Sequence, residues 1–215
     1  LAGVLVTLTG TDVFGNAVTL TQTTGAGGSY LFSSLLPGSY VVTFAPVAGY
    51  VRTKADFGAD ATDSDANVGT GATGTYVLAA GQSNLTVDAG YVKLGSIGDF
   101  VWSDTNGNGQ QDMGEPGLAG VLVTLTGTDV FGNAVNLTQT TGSGGSYLFS
   151  SLVPGSYVVT FAPVAGYVRT KADFGADATD SDANVGTGAT GTYVLAAGQS
   201  NLTVDAGYVK LGSIG

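Results

Sequence analysis

Apolar and polar positions alternate with period two along most of the chain, the spacing of β-strands with one buried face. In Val121-Leu-Val123-Thr-Leu125-Thr, the set Val121, Val123 and Leu125 is more apolar than the positions between, so a strand over about 119–126 turns that set inward. From Gly145 to Phe161, two short strands flank a Pro154-Gly155 turn, with Tyr147 and Phe149 on one face and Tyr157, Val159 and Phe161 on another. Aromatics at this spacing read as core rather than as a ligand platform. Further strands are expected over about 97–103, 134–141, 192–196 and 201–209. Turns are expected at Pro116-Gly117, Phe131-Gly132-Asn133 and Gly142 to Gly145, with Pro163 to Tyr167 turning the chain outward. No stretch carries a long helical period, and the fold class is all-β.

The pattern repeats. Residues 118–215 reproduce residues 1–98 with three changes, Thr19 to Asn136, Ala26 to Ser143 and Leu36 to Val153, at an offset of 117 residues. That period is the size of a domain, not of a solenoid unit. A complete repeat is expected over 95–211, preceded at 1–94 by a repeat lacking its first strand, and followed at 212–215 by the start of another. The phase suggests a window on a longer tandem array.

One stretch stands out of the alternation. Asp104-Thr-Asn106-Gly-Asn108-Gly109-Gln110-Gln-Asp112-Met-Gly-Glu115 sets oxygen-bearing side chains at positions 1, 3, 5, 9 and 12, with Gly at 6. This is the ligand spacing of a twelve-residue calcium loop, and Ca²⁺ is the expected cofactor. The ion takes about 6–8 oxygen ligands, so the chain must wrap around it. The candidate ligands are Asp104, Asn106, Asn108, Gln110 through its carbonyl, Asp112 and Glu115, the one Glu in the chain. The plain alternative is a polar turn rich in Asp, Asn and Gly. Both flanks, Ile97 to Ser103 and Val121 to Thr126, read as strands, so this is not the helix-flanked loop of an EF-hand, and its role is structural rather than sensing.

A second acidic set lies in a long loop over 171–191, where Asp173, Asp177, Asp180 and Asp182 fall within ten residues. Their counterparts in the first repeat are Asp56, Asp60, Asp63 and Asp65. The set is a candidate second metal site, or plain solvated acid, since its spacing fits no single loop template.

Composition narrows the function classes. The chain of 215 residues has six Lys+Arg against sixteen Asp+Glu, a formal charge of −10, which argues against nucleic acid. It has no Cys and no His, which removes thiol chemistry, the usual general base and the usual zinc ligand. Carboxylate pairs such as Asp180 and Asp182 could in principle do acid–base work, but with no His, no Cys and no nucleophile motif an enzyme is not expected. No apolar run is long enough to span a membrane.

Gly95 to Asp112, with Gly98-Asp99-Phe-Val101-Trp102 leading into the acidic loop, resembles the opening of the B domains of bacterial serine-aspartate repeat (SdrD-like) surface adhesins. The Gly-x-Tyr-x-Phe-x-x-Leu-x-Pro-Gly-x-Tyr-x-Val run from Gly145 to Val159, the Pro163 and Gly166-Tyr167 pair, Asp180-Ser-Asp182 and Asp205-Ala-Gly207-Tyr208 resemble the wider collagen-adhesin B-type family. The resemblance covers the whole 117-residue unit. It implies tandem Ig-like or prealbumin-like β-sandwiches of about seven strands, calcium in the loop between the first two strands, and a stalk or filament shaft on a bacterial surface or in a secreted filament. Some relatives cross-link their first and last strands through a Lys–Asn isopeptide bond. Here strand one has no Lys, and Lys171 and Lys210 lie in a loop and at the unit boundary, so that bond does not carry over.

The expected partners are neighbouring repeats of the same chain and, by strand addition, other copies in a filament. The alternative reading is an adhesive module for carbohydrate or host protein using the 171–191 loop, and an exposed aromatic cluster would favour it.

Overall fold

The computed structural model describes residues 1–215, all of it strand, turn and loop. It divides into two compact units, Leu1–Lys93 and Leu94–Gly215. The first contains β1 (Leu5–Asp12), β2 (Ala17–Thr23), β3 (Gly38–Phe44), β4 (Tyr50–Arg52), β5 (Tyr76–Leu78) and β6 (Tyr91–Lys93). The second contains β7 (Gly95–Ser103), β8 (Leu122–Asp129), β9 (Ala134–Thr140), β10 (Ser146–Leu152), β11 (Gly155–Phe161), β12 (Tyr167–Arg169), β13 (Tyr193–Leu195), β14 (Ser200–Asn201) and β15 (Ala206–Lys210).

In the second unit, one sheet runs β13-β11-β8-β9 and the other β10-β7-β15-β12, with β14 also paired to β7. Strand β7 is interior to its sheet. It runs antiparallel to β10, with Ile97 opposite Phe149, and parallel to β15, with Val101 opposite Ala206. Ile97, Val101 and Trp102 are accordingly fully buried. The two sheets form a sandwich whose core comprises Val123 and Leu125 of β8, Tyr147 and Phe149 of β10, and Tyr157, Val159 and Phe161 of β11. Tyr147 stands edge-on to Phe149 and Phe161, with ring centroids 5.9 and 5.6 Å away, a favoured aromatic geometry. The inward faces agree with the period-two reading. Val121 and Val123 are buried, and Leu122 between them is 46% exposed.

Two elements differ from the sequence expectation. Tyr167–Arg169 is not merely a turn; it forms β12, recruited to the edge of β15. The single strand expected over 201–209 is split into β14 and β15. Between them local side chains replace the ladder: Asn201 Oδ1 accepts bonds from the Thr203 amide and hydroxyl, and the Asp205 amide donates to Asp182.

The first unit has a β2-β1-β3-β5 sheet and a separate β4-β6 pair. Residues 1–93 contain no counterpart of β7. Ser29–Leu35 has the same sequence as β10, yet forms no strand. A strand needs a neighbour to take its backbone N–H and C=O groups, and here the neighbour is missing.

Candidate metal centre

Strand β7 ends at Ser103 and places Asp104, fully buried, at the head of the acidic loop. The amide of Asp104 donates to the Tyr208 carbonyl of β15, which fixes the loop to the sheet. From there the side-chain oxygens curl the backbone. Asp104 Oδ1 accepts the Gly107 amide at 2.6 Å and Oδ2 the Gly109 amide at 2.9 Å. Asn106 Oδ1 then accepts the Asn108 amide at 2.9 Å, and Asn108 Oδ1 the Gln110 amide at 2.8 Å. These are successive Asx-type turns, which Asp and Asn make because their short side chains reach amides a few residues ahead. Gly109, at position 6, has φ of +88°, and a Cβ there would lie 3.0 Å from the Lys171 carbonyl oxygen. The turn and the close approach both require glycine.

The far end closes on the near end. Glu115 Oε1 accepts bonds from the Thr105 amide and hydroxyl at 2.7 and 3.0 Å, and Oε2 accepts the Asp112 amide at 3.1 Å. The Asn106 and Asn108 side-chain amides both donate to Asp112 Oδ2, at 2.7 and 2.8 Å. Positions 3, 5 and 9 therefore meet, while position 12 is tied back to the start. The loop offers carboxylate and amide oxygens and no imidazole or thiolate, a donor set suited to a hard cation; here the Asn106 and Asn108 side-chain nitrogens face Asp112 while their oxygens accept backbone amides. No three carboxylates of the chain stand close enough to hold a metal by themselves.

Asp104 is supported from outside the loop as well. Thr170 Oγ1 donates to Asp104 Oδ2 at 2.5 Å. Burial pushes this carboxyl up, but the Thr170 hydroxyl and the Gly109 and Gly107 amides outweigh it and hold the group below its ordinary value. Asp104 is therefore kept ionised at neutral pH.

The second acidic set is not gathered into a cluster. Asp182 is a structural tie, accepting the Tyr193 hydroxyl at 2.9 Å and the Asp205 amide at 2.6 Å. Asp180 is buried, and Asp173 and Asp177 are exposed. In the first unit Asp65 makes the same ties, to Tyr76 and the Asp88 amide; Asp56 and Asp60 are exposed and Asp63 half-buried. In the second unit, however, the segment carrying Asp173 to Asp182 packs on the 104–115 acidic loop. The Gln111 amide donates to the Thr179 carbonyl at 2.7 Å, Gln110 Nε2 to the Phe174 carbonyl at 3.1 Å, and Gln110 bridges Asp180. The two acidic segments, independent in sequence, form one surface.

Sequence reasoning missed a buried carboxyl next to this region. Asp205 is 1% exposed; its Oδ1 accepts the Phe100 amide at 2.9 Å, and its Oδ2 has no partner. Burial, then the charge of Asp99, push it up to about 8. Burial raises Asp99 too and lifts Asp182 to about 6. The one sequence signal was an acid inside the apolar run Leu202 to Tyr208; its meeting with Phe100, more than a hundred residues away, was not readable. Trp102, the single Trp, is fully buried, so it supplies no exposed aromatic platform.

Comparison with known proteins locates this architecture. The SdrD B-like domain family matches residues 1–91 and 95–208. Serine-aspartate repeat-containing protein F of Staphylococcus epidermidis is 44% identical over 82% of this chain, and serine-aspartate repeat-containing protein D of Staphylococcus aureus (strain Newman) is 38% identical over 98%. The chain spans only 10% and 15% of those two relatives. Among solved structures, the minor pilin GBS52 of Streptococcus agalactiae aligns over 100% of this chain and 86% of its own, at 14% identity and a TM-score of 0.37.

Proposed function

The chain belongs to the SdrD B-like domain family, and on that premise we propose that it is a calcium-rigidified structural repeat, part of the stalk or filament shaft of a long extracellular bacterial surface protein. It is a structural and not an enzymatic family, so the reading needs no reaction. Its partners are neighbouring repeats of the same polypeptide and, by strand addition, other copies.

The observation that carries the calcium part is the loop itself. The Asn106 and Asn108 side chains close on Asp112, Asp104 gathers the Gly107 and Gly109 amides, Glu115 ties the far end of the loop back to Thr105, and Gly109 sits where only glycine fits. Asp104, Asn106, Asn108, Asp112, Glu115 and the Gln110 carbonyl would hold the ion. Bound there, calcium would neutralise the charge of Asp104, Asp112 and Glu115 and hold the loop closed. Because the loop is bonded to Thr170, Thr179 and Phe174, closing it also pins the long 170–182 segment to the end of β7. A site held at 100 times its dissociation constant gains about 2.7 kcal/mol, a large share of a typical domain stability of about 5–15 kcal/mol.

The test is a thermal melt followed by Trp102 fluorescence, which reports the second unit alone. Chelation should lower the midpoint by several degrees, calcium should restore it, and magnesium at equal concentration should restore less. A melt indifferent to chelator would remove the calcium part and leave the structural-repeat part standing.

A further inference from the structure

Two Asn-Gly pairs occur in the chain, Asn106-Gly107 and Asn108-Gly109, and both lie in the acidic loop. An asparagine side chain is an electrophile as well as a hydrogen-bonding group. The backbone nitrogen of the next residue can attack its Cγ and close a five-membered imide. Glycine in the next position favours that attack, because it has no Cβ to crowd the nitrogen.

The loop surrounds the Asn106-Gly107 pair with the groups that ring closure uses. The Gly107 amide, the nucleophile, donates to Asp104 Oδ1 at 2.6 Å, and that fully buried carboxylate is positioned to take its proton. Asn106 Oδ1 accepts the Asn108 amide at 2.9 Å, so a donor faces the oxygen on which negative charge develops. The ring closed by that bond contains both the Asn106 Cγ and the Gly107 nitrogen, which keeps the reacting atoms within one tight turn. Asn106 Nδ2, the leaving nitrogen, is held by Asp112 Oδ2 at 2.7 Å. Asn106 is exposed, so water reaches the imide.

No other asparagine combines these features. Asn108 repeats the wiring, with its Oδ1 on the Gln110 amide and the Gly109 amide on Asp104 Oδ2, but Gly109 is buried against the Lys171 carbonyl. Asn67 and Asn184 make the same turn, accepting the Gly69 and Gly186 amides at 3.0 Å. The residues that follow them are Val68 and Val185, whose branched side chains crowd the nitrogen.

We propose that Asn106 is a self-modification site, at which the loop converts a side-chain amide to a carboxylate with water as co-reactant. Asp104 takes the Gly107 N–H proton, the nitrogen bonds to Cγ, and the Cγ–Nδ2 bond breaks. Ammonia leaves, carrying off the proton that Asp104 took. Water then opens the imide at one or the other carbonyl, giving aspartate or isoaspartate, and nothing is oxidised or reduced. The product rewires the loop. Where Asn106 Nδ2 donated to Asp112, a carboxylate now meets a carboxylate, and the two repel. Isoaspartate also adds a methylene to the backbone inside the turn. The unmodified loop closes on its own hydrogen bonds, whereas the converted loop needs a cation to stay closed. The inference does not rest on bound calcium.

The experiment incubates the whole 215-residue chain in chelator at neutral pH, folded in buffer and unfolded in urea. Peptide mass spectrometry and isoaspartyl methyltransferase labelling follow conversion at each asparagine. The folded chain should convert Asn106 at least about tenfold faster than the unfolded chain, a conservative share of the roughly 100-fold or more that a positioned base supplies. Asn106 should convert ahead of Asn108, while Asn67 and Asn184 stay unmodified. The Trp102 melting midpoint in chelator should fall in step with conversion, and an Asn106→Asp chain should start at a lowered value. Conversion in the folded chain equal to or slower than in urea overturns the inference, as does conversion spread evenly over these asparagines or a midpoint unmoved by full conversion. Every sample contains chelator, so the result is separate from the calcium reading, which rests on how added calcium changes the melt.

Discussion

Replacing Asp205 by Asn should make the second unit more stable at neutral pH and less sensitive to pH. The carboxyl is 1% exposed, one of its oxygens has no partner, and burial and Asp99 push it up to about 8. In the unfolded chain it titrates near 3.8. The folded state therefore takes up a proton between about pH 4 and 8, so its stability falls as pH rises through that window and levels off above it. At pH 7, holding the acid neutral costs on the order of 4 kcal/mol, at about 1.4 kcal/mol per pH unit. Asn retains an oxygen to accept the Phe100 amide and has no proton to gain. Its unpaired NH₂ costs about 1–3 kcal/mol, which offsets part of the benefit. The net expectation is a gain of a few kcal/mol at pH 7, a midpoint higher by about 5–10 °C for a unit of this size, shrinking to nothing or reversing at pH 4. Trp102 fluorescence isolates the transition of this unit. The first unit supplies the control. Asp88, the counterpart of Asp205, is only half-buried because no strand covers it, so Asp88→Asn should change much less. A wild-type Trp102 midpoint that stays flat or climbs between pH 4.5 and 8 would refute the reasoning, as would an Asn variant with the same slope.

Other outcomes follow from the same geometry. Thr170→Val removes the hydroxyl that Asp104 accepts in a fully buried position and should cost about 1–3 kcal/mol, seen as a lower Trp102 midpoint and as weaker calcium rescue. Gly109→Ala meets both a φ of +88° and the Lys171 carbonyl, and should destabilise the loop by about 1–3 kcal/mol; a neutral Ala in a calcium titration would show that the loop is not held as described. Ile97→Ala, at a fully buried position in the interior strand, should cost about 2–5 kcal/mol in denaturant unfolding, whereas Leu122→Ala on the exposed side of its strand should cost under 1 kcal/mol.

The acidic loop was legible because its chemistry is local. Ligand spacing, the glycine at position 6 and the strand-like flanks all lie within about twenty residues, and the side chains that curl the loop reach only amides a few positions ahead. The support behind it was not legible. Thr170 is 66 positions from Asp104, and nothing in Val168-Arg169-Thr170-Lys171 marks a threonine that will face a carboxylate. The same holds for Asp182, whose acidic neighbours suggested a metal ligand. Its oxygens instead close bonds to Tyr193 and the Asp205 amide, a structural role that any alternating acidic loop could conceal.

Period-two alternation by itself determined the all-β class and which faces turn inward, because alternate side chains on a strand point to opposite sides whatever the strand pairs with. The near-perfect duplication determined the size of the repeating unit. What a strand pairs with is a different matter. Ser29–Leu35 and Ser146–Leu152 are the same seven residues, and only the second is a strand, because only there does β7 accept its backbone hydrogen bonds and cover Tyr147 and Phe149. Local sequence sets the pattern of a strand, but its existence depends on a partner that the chain brings from elsewhere.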